Sequence, residues 1–443
     1  MKTSHSAEFR RLKLFAILLC ISLVGACGGQ TPEETNVART SEPSTVREGE
    51  EEKTRQSTRK SRDQPEEIEA DLVVTGGTLV DGTDARPLED AAVAVEGNRI
   101  VAVGKSDSLR VADGARVVAV NGGSILPGLV NTHVHSRYVT LEETRAWTRD
   151  GVTTVLDLGG SSEELLGRKR ATVESGDAEL PRLFVSGPMI TVPGGHPIPI
   201  YGPDYPALAV RGPDDAKSQI ERLISEGVDR IKIAVSGRMD TGWPELSDEE
   251  IQAITQAAHD GGIRVSVHVD TASGLRRAVE NGVDDAAHAP RDTIPNNSIR
   301  EMVERGVTLT PTIDVYQNIA EDNDEAADWN ATTLPVMYDN LRRFVEAGGT
   351  LALGDDFGNP GVELGMPMDE IEHWKAAGLT PMQTIIAATR GGATVGGLLD
   401  DIGTLQTSKT ANILVVNGNP LVDIQALENI ELVVHNGKIV SSS

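Results

Sequence analysis

The chain has 443 residues, with 41 Lys and Arg against 67 Asp and Glu, a formal net charge of −26. That balance cannot neutralise an extended phosphate backbone, and 3% aromatic residues leave little for stacking on bases, which argues against a nucleic-acid partner. A hydrophobic share of 39% and 45 glycines fit a globular, enzyme-sized body rather than a fibre or a wholly disordered chain.

At the start, Arg10, Arg11 and Lys13 precede an apolar run over residues 14–24. The run is too short to span a bilayer and has the form of the hydrophobic region of an export signal. Gly25 and Ala26 lead into Cys27, so residues 1–27 resemble a bacterial lipoprotein signal whose cysteine is lipidated. An ordinary cleaved signal, or a plain membrane anchor, is the alternative. Gly28, standing where an aspartate would favour inner-membrane retention, points to an exported protein held at the outer membrane or cell surface by its lipid. Cys20 and Cys27 are the only cysteines, which excludes a disulfide framework, a cysteine zinc site and a thiol nucleophile from the folded body. Residues 28–69 are rich in Glu, Thr, Ser, Arg and Lys and read as a disordered tether, unable to bury enough surface to offset ordering.

Short β-rich runs punctuated by Gly and Asn-Gly turns fill residues 70–123 and return at residues 403–443. The two ends are expected to pair into one composite β-sandwich around an inserted middle. That middle, residues 124–402, alternates apolar strands with amphipathic helices. The expected strands are 124–135, 153–159, 182–187, 230–236, 264–269, 284–289, 308–314 and 351–356, with a helix over 248–260 capped by Ser247. Eight βα units make the fold class α/β, a (β/α)8 TIM-like barrel; a doubly wound sheet is the alternative, weakened because no Gly-rich phosphate loop follows a strand.

Of nine histidines, His133 and His135 close the first strand, His268 the fifth and His288 the sixth. Lys232 lies in the fourth strand and Asp355-Asp356 ends the eighth. Catalytic groups of such barrels gather at the C-terminal strand ends. Alternation puts His133 and His135 on one face, Lys232 opposite its flanking isoleucines, His268 behind Ser266, His288 with Ala286, and Asp356 with Gly354 and Ala352. Inward imidazoles, a lysine and a carboxylate at one mouth are a metal-ligand set, since that many unpaired buried polar groups would otherwise be costly. Lys232, as an ammonium, fits such a set poorly; carbamylation would make it a bridging carboxylate, and pairing with an acidic neighbour is the bland alternative. His5, His259, His373 and His435 read as bystanders.

The segments Ile125-Leu126-Pro127-Gly128-Leu129-Val130-Asn131-Thr132-His133-Val134-His135, Gly151–Gly160, Ser186–Thr191 before Gly194-Gly195-His196, and Ala352–Asp356 together resemble the amidohydrolase superfamily, in its imidazolonepropionase-like and prolidase-like branch. The resemblance spans the folded part and implies the barrel and composite sandwich. It implies that His133, His135 and Asp356 hold a buried metal, that carbamylated Lys232 bridges to a second one held by His268 and His288, and that both are zinc. It further implies hydrolysis of carbon–nitrogen bonds in amides, cyclic amides or dipeptides through a metal-bridging hydroxide, with Asp356 shuttling the proton and His196 polarising the substrate carbonyl. Ala286-Ala287-His288-Ala289 departs from the family's usual Ile-Glu-His-Gly, and Asn412 replaces a common aspartate. A lactonase, esterase or phosphotriesterase-like activity on the same site, or a non-catalytic surface binding lipoprotein, are the rival readings. The substrate is expected to be a small molecule met by loops 192–211, 237–244 and 317–334. Arg137 and Arg238 are weak candidates for clamping its carboxylate, solvated or structural roles being the alternative. The membrane is reached only through the lipid, and homo-oligomerisation is left open.

Overall fold

The computed structural model describes residues 67–237 and 241–442. The expected signal peptide with Cys27, nearly all of the tether, and Arg238 lie outside the described residues. Among the described residues no helix is long and apolar enough to cross a membrane.

The chain first lays down β1 (Leu72–Leu79), β2 (Leu88–Glu96), β3 (Arg99–Lys105), β4 (Arg116–Ala119) and β5 (Ser124–Pro127). The central region contributes β6 (Leu129–Val134), β7 (Val152–Asp157), β8 (Arg182–Val185), β9 (Met189–Thr191) and β10 (Ala207–Ala209). It continues with β11 (Arg230–Ala234), β12 (Arg264–His268), β13 (Asp285–Ala286) and β14 (Thr308–Leu309). The end supplies β15 (Ile413–Val416), β16 (Ile430–His435) and β17 (Lys438–Ser442).

Both chain ends join one eight-stranded sheet in the order β17-β16-β15-β5-β1-β2-β3, with β4 also on β1. The junction is antiparallel, Ile413 facing Pro127 and Val415 facing Ile125. The sheet therefore runs four residues beyond the boundary expected at residue 123, and its two halves, hydrogen-bonded through β5, enclose one shared core of residues from β1 and β2 on one side and β15 and β16 on the other. Asn436 and Gly437, both at positive φ, form the tight turn into β17. Strand β15 is apolar throughout because it has a core on each side. Ile413 and Val415 pack with Val74, Val93 and Ile125. Leu414 and Val416 enter the core of the central region.

The central strands are parallel, in a three-stranded ladder β6-β7-β8 and a six-stranded one β10-β9-β11-β12-β13-β14. Regular pairing does not close the ring. Across one seam the Asp229 N–H donates to Val185 O at 2.8 Å. Across the other, residues 351–357 make only isolated bridges, Leu351 to Leu309 and Phe357 to Val134. The expected eighth strand is thus a bridged segment, and the sixth and seventh shrink to two residues each. Val130, Leu156 and Ala352 fill the bottom of the ring, backed by Ala393 and Val395. On the outside, Val265, Val267 and Ala286 pack with Ile251, Ile254 and Leu275 of the surrounding helices. Helix Asp248–Asp260 begins where the sequence places it, with Ser247 and Glu250 forming a capping box. The expected loop 317–334 is instead mostly helical, through Ile313–Asp322, Ala326–Asp328 and Trp329–Thr333. Val315 and Ile319, and Tyr316 and Ala320, recur at the i,i+4 spacing that aligns them on one helical face.

Candidate active site

At the upper end of β6 the register against β7 slips: Asn131 pairs with Val155 but Val134 with Asp157, one extra residue on β6. Below the slip the inward residues are Val130, in the ring's bottom layer, and Thr132, whose hydroxyl lies 3.0 Å from Thr310 Oγ1. Above it, His133 and His135 point inward instead. A bulge of this kind re-aims side chains at a strand end.

Asp356 meets both histidines. Its Oδ1 lies 3.2 Å from His133 Nε2 and 2.9 Å from His135 Nε2. The three residues form a buried group with ligand atoms all within 4.8 Å of one another. Asp356 sits at φ +59°, a left-handed conformation that few residues other than glycine adopt. The ring nitrogen His135 Nδ1 faces Gly159 O at 3.4 Å, which turns Nε2 toward Asp356. Burial lowers the His133 imidazole well below its ordinary range, and the neighbouring Lys232 adds to this. Burial works in the same direction at His135, but the Asp356 carboxylate outweighs it and raises that ring.

Lys232 is fully buried, with Nζ 3.4 Å from His133 Nε2. Burial pulls its ammonium down to about 7. Among the described residues no carboxylate stands within ion-pair distance of Nζ, and Asp356 and Asp285 attract the ammonium only from farther away. Strand pairing sets Ala234 beside His268. The His268 ring packs on His288 with centroids 4.5 Å apart, and His288 lies 4.8 Å from the His133 ring. Burial depresses both His268 and His288, leaving them neutral, as metal ligation requires. Thr312 Oγ1, 2.6 Å from His288 Nδ1, fixes that ring. His196 arrives from the segment after β9 and stacks on His268 at 3.8 Å with 14° between planes. All six expected site residues of the ring mouth, with His196, are therefore brought together.

His288 reaches the site by a route that alternation missed. Pairing of Ser266 with Asp285 and Val267 with Ala286 turns Ala286 outward and Asp285 inward. The strand ends at Ala286, and the bend after it swings His288 back to the mouth. Inward Asp285 is a residue the sequence reading overlooked; it accepts from Ser266 and Thr308 hydroxyls, each at 2.9 Å. Its signal was the Ser266 register. Asp355 turns away from the ligands: its Oδ1 accepts from Asn131 Nδ2 at 2.8 Å and from the Phe357 N–H at 3.1 Å. Asn131 Oδ1 in turn accepts the His133 N–H at 3.2 Å. Arg137 is set behind the site rather than in it, its guanidinium 5.1 Å from the ring centres of both Tyr138 and Tyr205.

The donors suit a divalent metal. His268 Nε2 is buried without a hydrogen-bond partner, an expensive arrangement unless a cation is its partner, and Asp356 Oδ1 faces two imidazole nitrogens across distances that a shared cation would bridge. The amidohydrolase family profile matches residues 124–440, which include every one of these residues. The chain belongs to the amidohydrolase family. This makes it a metal-dependent hydrolase acting on carbon–nitrogen bonds. It is similar to the ochratoxinase of Aspergillus niger, at 24% identity over 82% of this chain and 84% of that protein. It is also similar to the imidazolonepropionase of Alkaliphilus metalliredigens, at 23% identity over 80% of this chain and 90% of the relative. A solved Xaa-Pro dipeptidase with bound methionine superposes with a TM-score of 0.73 at 25% identity, covering 84% of this chain and all of the other.

Proposed function

We propose that this amidohydrolase cleaves small amides or dipeptides at a two-zinc centre built on His133, His135, Lys232, His268, His288 and Asp356. The observation that carries the reading is the convergence of His133 Nε2, His135 Nε2 and Asp356 Oδ1 beside a buried, unpaired Lys232. Divalent metal bound there supplies a water of lowered pKa and a Lewis acid for the carbonyl. Lys232 would join the set as its carbamate: the neutral amine nitrogen bonds to the carbon of carbon dioxide and gives up one proton. The product is an anion suited to bridging two cations.

Asp356 takes the proton of the attacking water through its carboxylate and returns it to the departing nitrogen. His196, half-buried beside His268 and with its imidazole pulled down by desolvation, donates to the substrate carbonyl oxygen as charge develops on it. Its Nδ1 has no partner in the protein. The Asp355–Asn131 pair holds the backbone of His133.

The test is metal analysis of the soluble fragment, together with initial rates on dipeptides, N-acyl amino acids, cyclic amides and lactones. Two equivalents of zinc with amide turnover support the reading. A preference for lactones or phosphotriesters would move the chemistry to esters, and a metal-free inactive protein would sink it. We place the enzyme at the cell envelope through lipidated Cys27, an assignment resting on sequence alone. A Cys27→Ser protein that still fractionates with membranes and is processed normally would refute that placement.

A further inference from the structure

A cavity of about 340 Å³ shares no lining residue with the pocket that opens onto the ligand cluster. Six carboxylates line it: Asp150, Asp314, Asp355, Glu363, Asp369 and Glu428. Among the described residues no lysine, arginine or histidine lines it with them. Glu363, Asp369 and Glu428 are exposed, Asp150 is half-buried, and Asp314 and Asp355 are buried, so the acids run from the opening to the floor. They stand close enough to repel one another: the charges of Asp369 and Glu363 add to the burial that lifts the Asp314 carboxyl to about 6. Among the described residues none of the six enters an ion pair. Elsewhere acids are matched, as Asp401 is by both Arg99 and Arg182.

Two of the six have a local cause. Asp314 and Asp369 stand in the first turns of helices Ile313–Asp322 and Met368–Ala376, where the helix itself favours a carboxylate. The other four have none, and Asp150 closes helix Arg145–Arg149 at the end that disfavours negative charge. Asp355 supplies the deciding observation. It is 1% exposed. Its Oδ1 accepts from Asn131 Nδ2 and the Phe357 N–H, while its Oδ2 is buried with no partner in the protein. A carboxylate oxygen stripped of water and left without a donor is costly, and a cation at the floor of the cavity removes the cost. Among the described residues only His133, His135 and Asp356 bring three donor atoms within 4.8 Å of one another. The six acids are therefore spaced for a cation that keeps part of its water shell and meets one or two carboxylates directly.

We infer that this cavity binds a hydrated hard divalent cation, calcium or magnesium, at a site separate from the hydrolytic metal centre. The carboxylate oxygens that line it are the donors those ions take, whereas the imidazoles of the ring mouth suit zinc. The ion holds the second oxygen of Asp355, whose first oxygen braces Asn131 and, through it, the His133 backbone. An open site with water among the ligands belongs at the weak end of the calcium range, with Kd about 10⁻⁴–10⁻³ M.

The test is calorimetric titration of the metal-loaded protein, freed of excess metal, with calcium chloride and separately with magnesium chloride at constant ionic strength. One equivalent of either ion bound, with the loaded metal retained, supports the inference. Saturation should also raise the melting temperature by about 2–3 °C, the shift expected at about 10- to 100-fold excess over Kd for a chain of this size. Asp314→Asn keeps an oxygen for the Asn318 side chain and should weaken binding at least about tenfold. Glu363→Gln, on the exposed rim, leaves the fold intact and should weaken it about threefold. No binding of either ion up to about tenfold above the expected range would overturn the inference. So would stabilisation matched by potassium chloride at equal ionic strength, binding unchanged in both variants, or uptake that releases the loaded metal.

Discussion

Adjacent aspartates at the end of the eighth barrel segment give the sharpest test of the site. Asp356 carries the ligand oxygen, 3.2 and 2.9 Å from two imidazole nitrogens. Its backbone is left-handed at φ +59°, a conformation asparagine tolerates unusually well. Asp356→Asn therefore keeps the fold and one coordinating oxygen while removing the proton carrier. Turnover should fall by about 10²- to 10⁴-fold, the usual worth of a positioned general base. Asp355→Asn should behave differently. Its Oδ1 can still accept from Asn131 and from the Phe357 N–H, and the lost Oδ2 had no partner to lose. Activity within about tenfold of wild type is expected, a few tenths to 1.4 kcal/mol on the barrier. Asp355→Ala strips an acceptor from both buried donors, at about 1–3 kcal/mol each, and loosens the asparagine that holds His133. The assay is kcat for each variant with metal content measured on the same sample. An inactive, metal-replete Asp355→Asn beside a near-normal Asp356→Asn would refute the assignment.

Lys232→Ala should lose metal and activity, with partial recovery in added bicarbonate or short carboxylates; full metal occupancy in that variant would mean the lysine is no bridge. Gly354→Ala would bring a methyl group to 2.5 Å from Thr310 Cγ2 and 2.9 Å from His133 Cβ; metal affinity should fall about 10- to 100-fold, as for other changes that displace a ligand, read by competition with a chelating dye. Glu370 is fully buried, accepting from Trp374 Nε1 and the Asp314 N–H, and burial lifts its carboxyl from the ordinary 4.5 to about 8. Because the folded state holds this proton more tightly than the unfolded chain, its contribution is complete in acid and is lost as pH rises through about 8. Stability of the metal-loaded protein should therefore drop toward alkaline pH, with this group adding at most about 1.4 kcal/mol per pH unit. Asp314, raised to about 6, acts in the same sense at lower pH. Denaturant unfolding at pH 6–9 measures the slope; Glu370→Gln should flatten it, and an unchanged slope would exonerate the group.

The parts of the molecule legible from sequence were those governed by period and punctuation. Strand β12 and helix Asp248–Asp260 fell where alternation and the Ser247 cap placed them. So did the pairing of the two chain ends, because β-rich texture recurs at both. The eighth strand failed for a physical reason: a segment that leaves regular pairing to put Asp356 at positive φ has no ladder to announce. Residues 317–334 were mistaken for a loop because acidic residues and asparagines obscured the helical spacing of Val315, Tyr316, Ile319 and Ala320. The side chains that converge at the mouth were legible from residue type and strand-end position. What alternation could not give was the turning of His133 and His288, since a bulge in one case and a bend in the other break the period it relies on.

These failures share a location, and the location carries a meaning. The β6 register slips immediately before His133, β13 ends two residues before His288, Thr312 behind His288 is left-handed at φ +50°, and Asp356 is left-handed too. Regular β-structure points side chains at fixed, alternating directions about two residues apart, which cannot bring six donors from five segments to one point. Each irregularity swings one donor, or the residue fixing it, off that lattice. Such conformations cost about 1–3 kcal/mol each and persist only where surrounding structure enforces them. Here the enforcement is visible: Asp356 N–H bonds to His133 O at 2.9 Å and His135 N–H to Phe357 O at 2.7 Å, stitching the irregular segment to the bulged strand. The same stitching makes Gly354 obligatory, because the close approach leaves no room for a methyl group beside His133. The strain and the ligands are thus one construction, and a variant that relaxed the backbone there would be expected to gain stability while losing its metal.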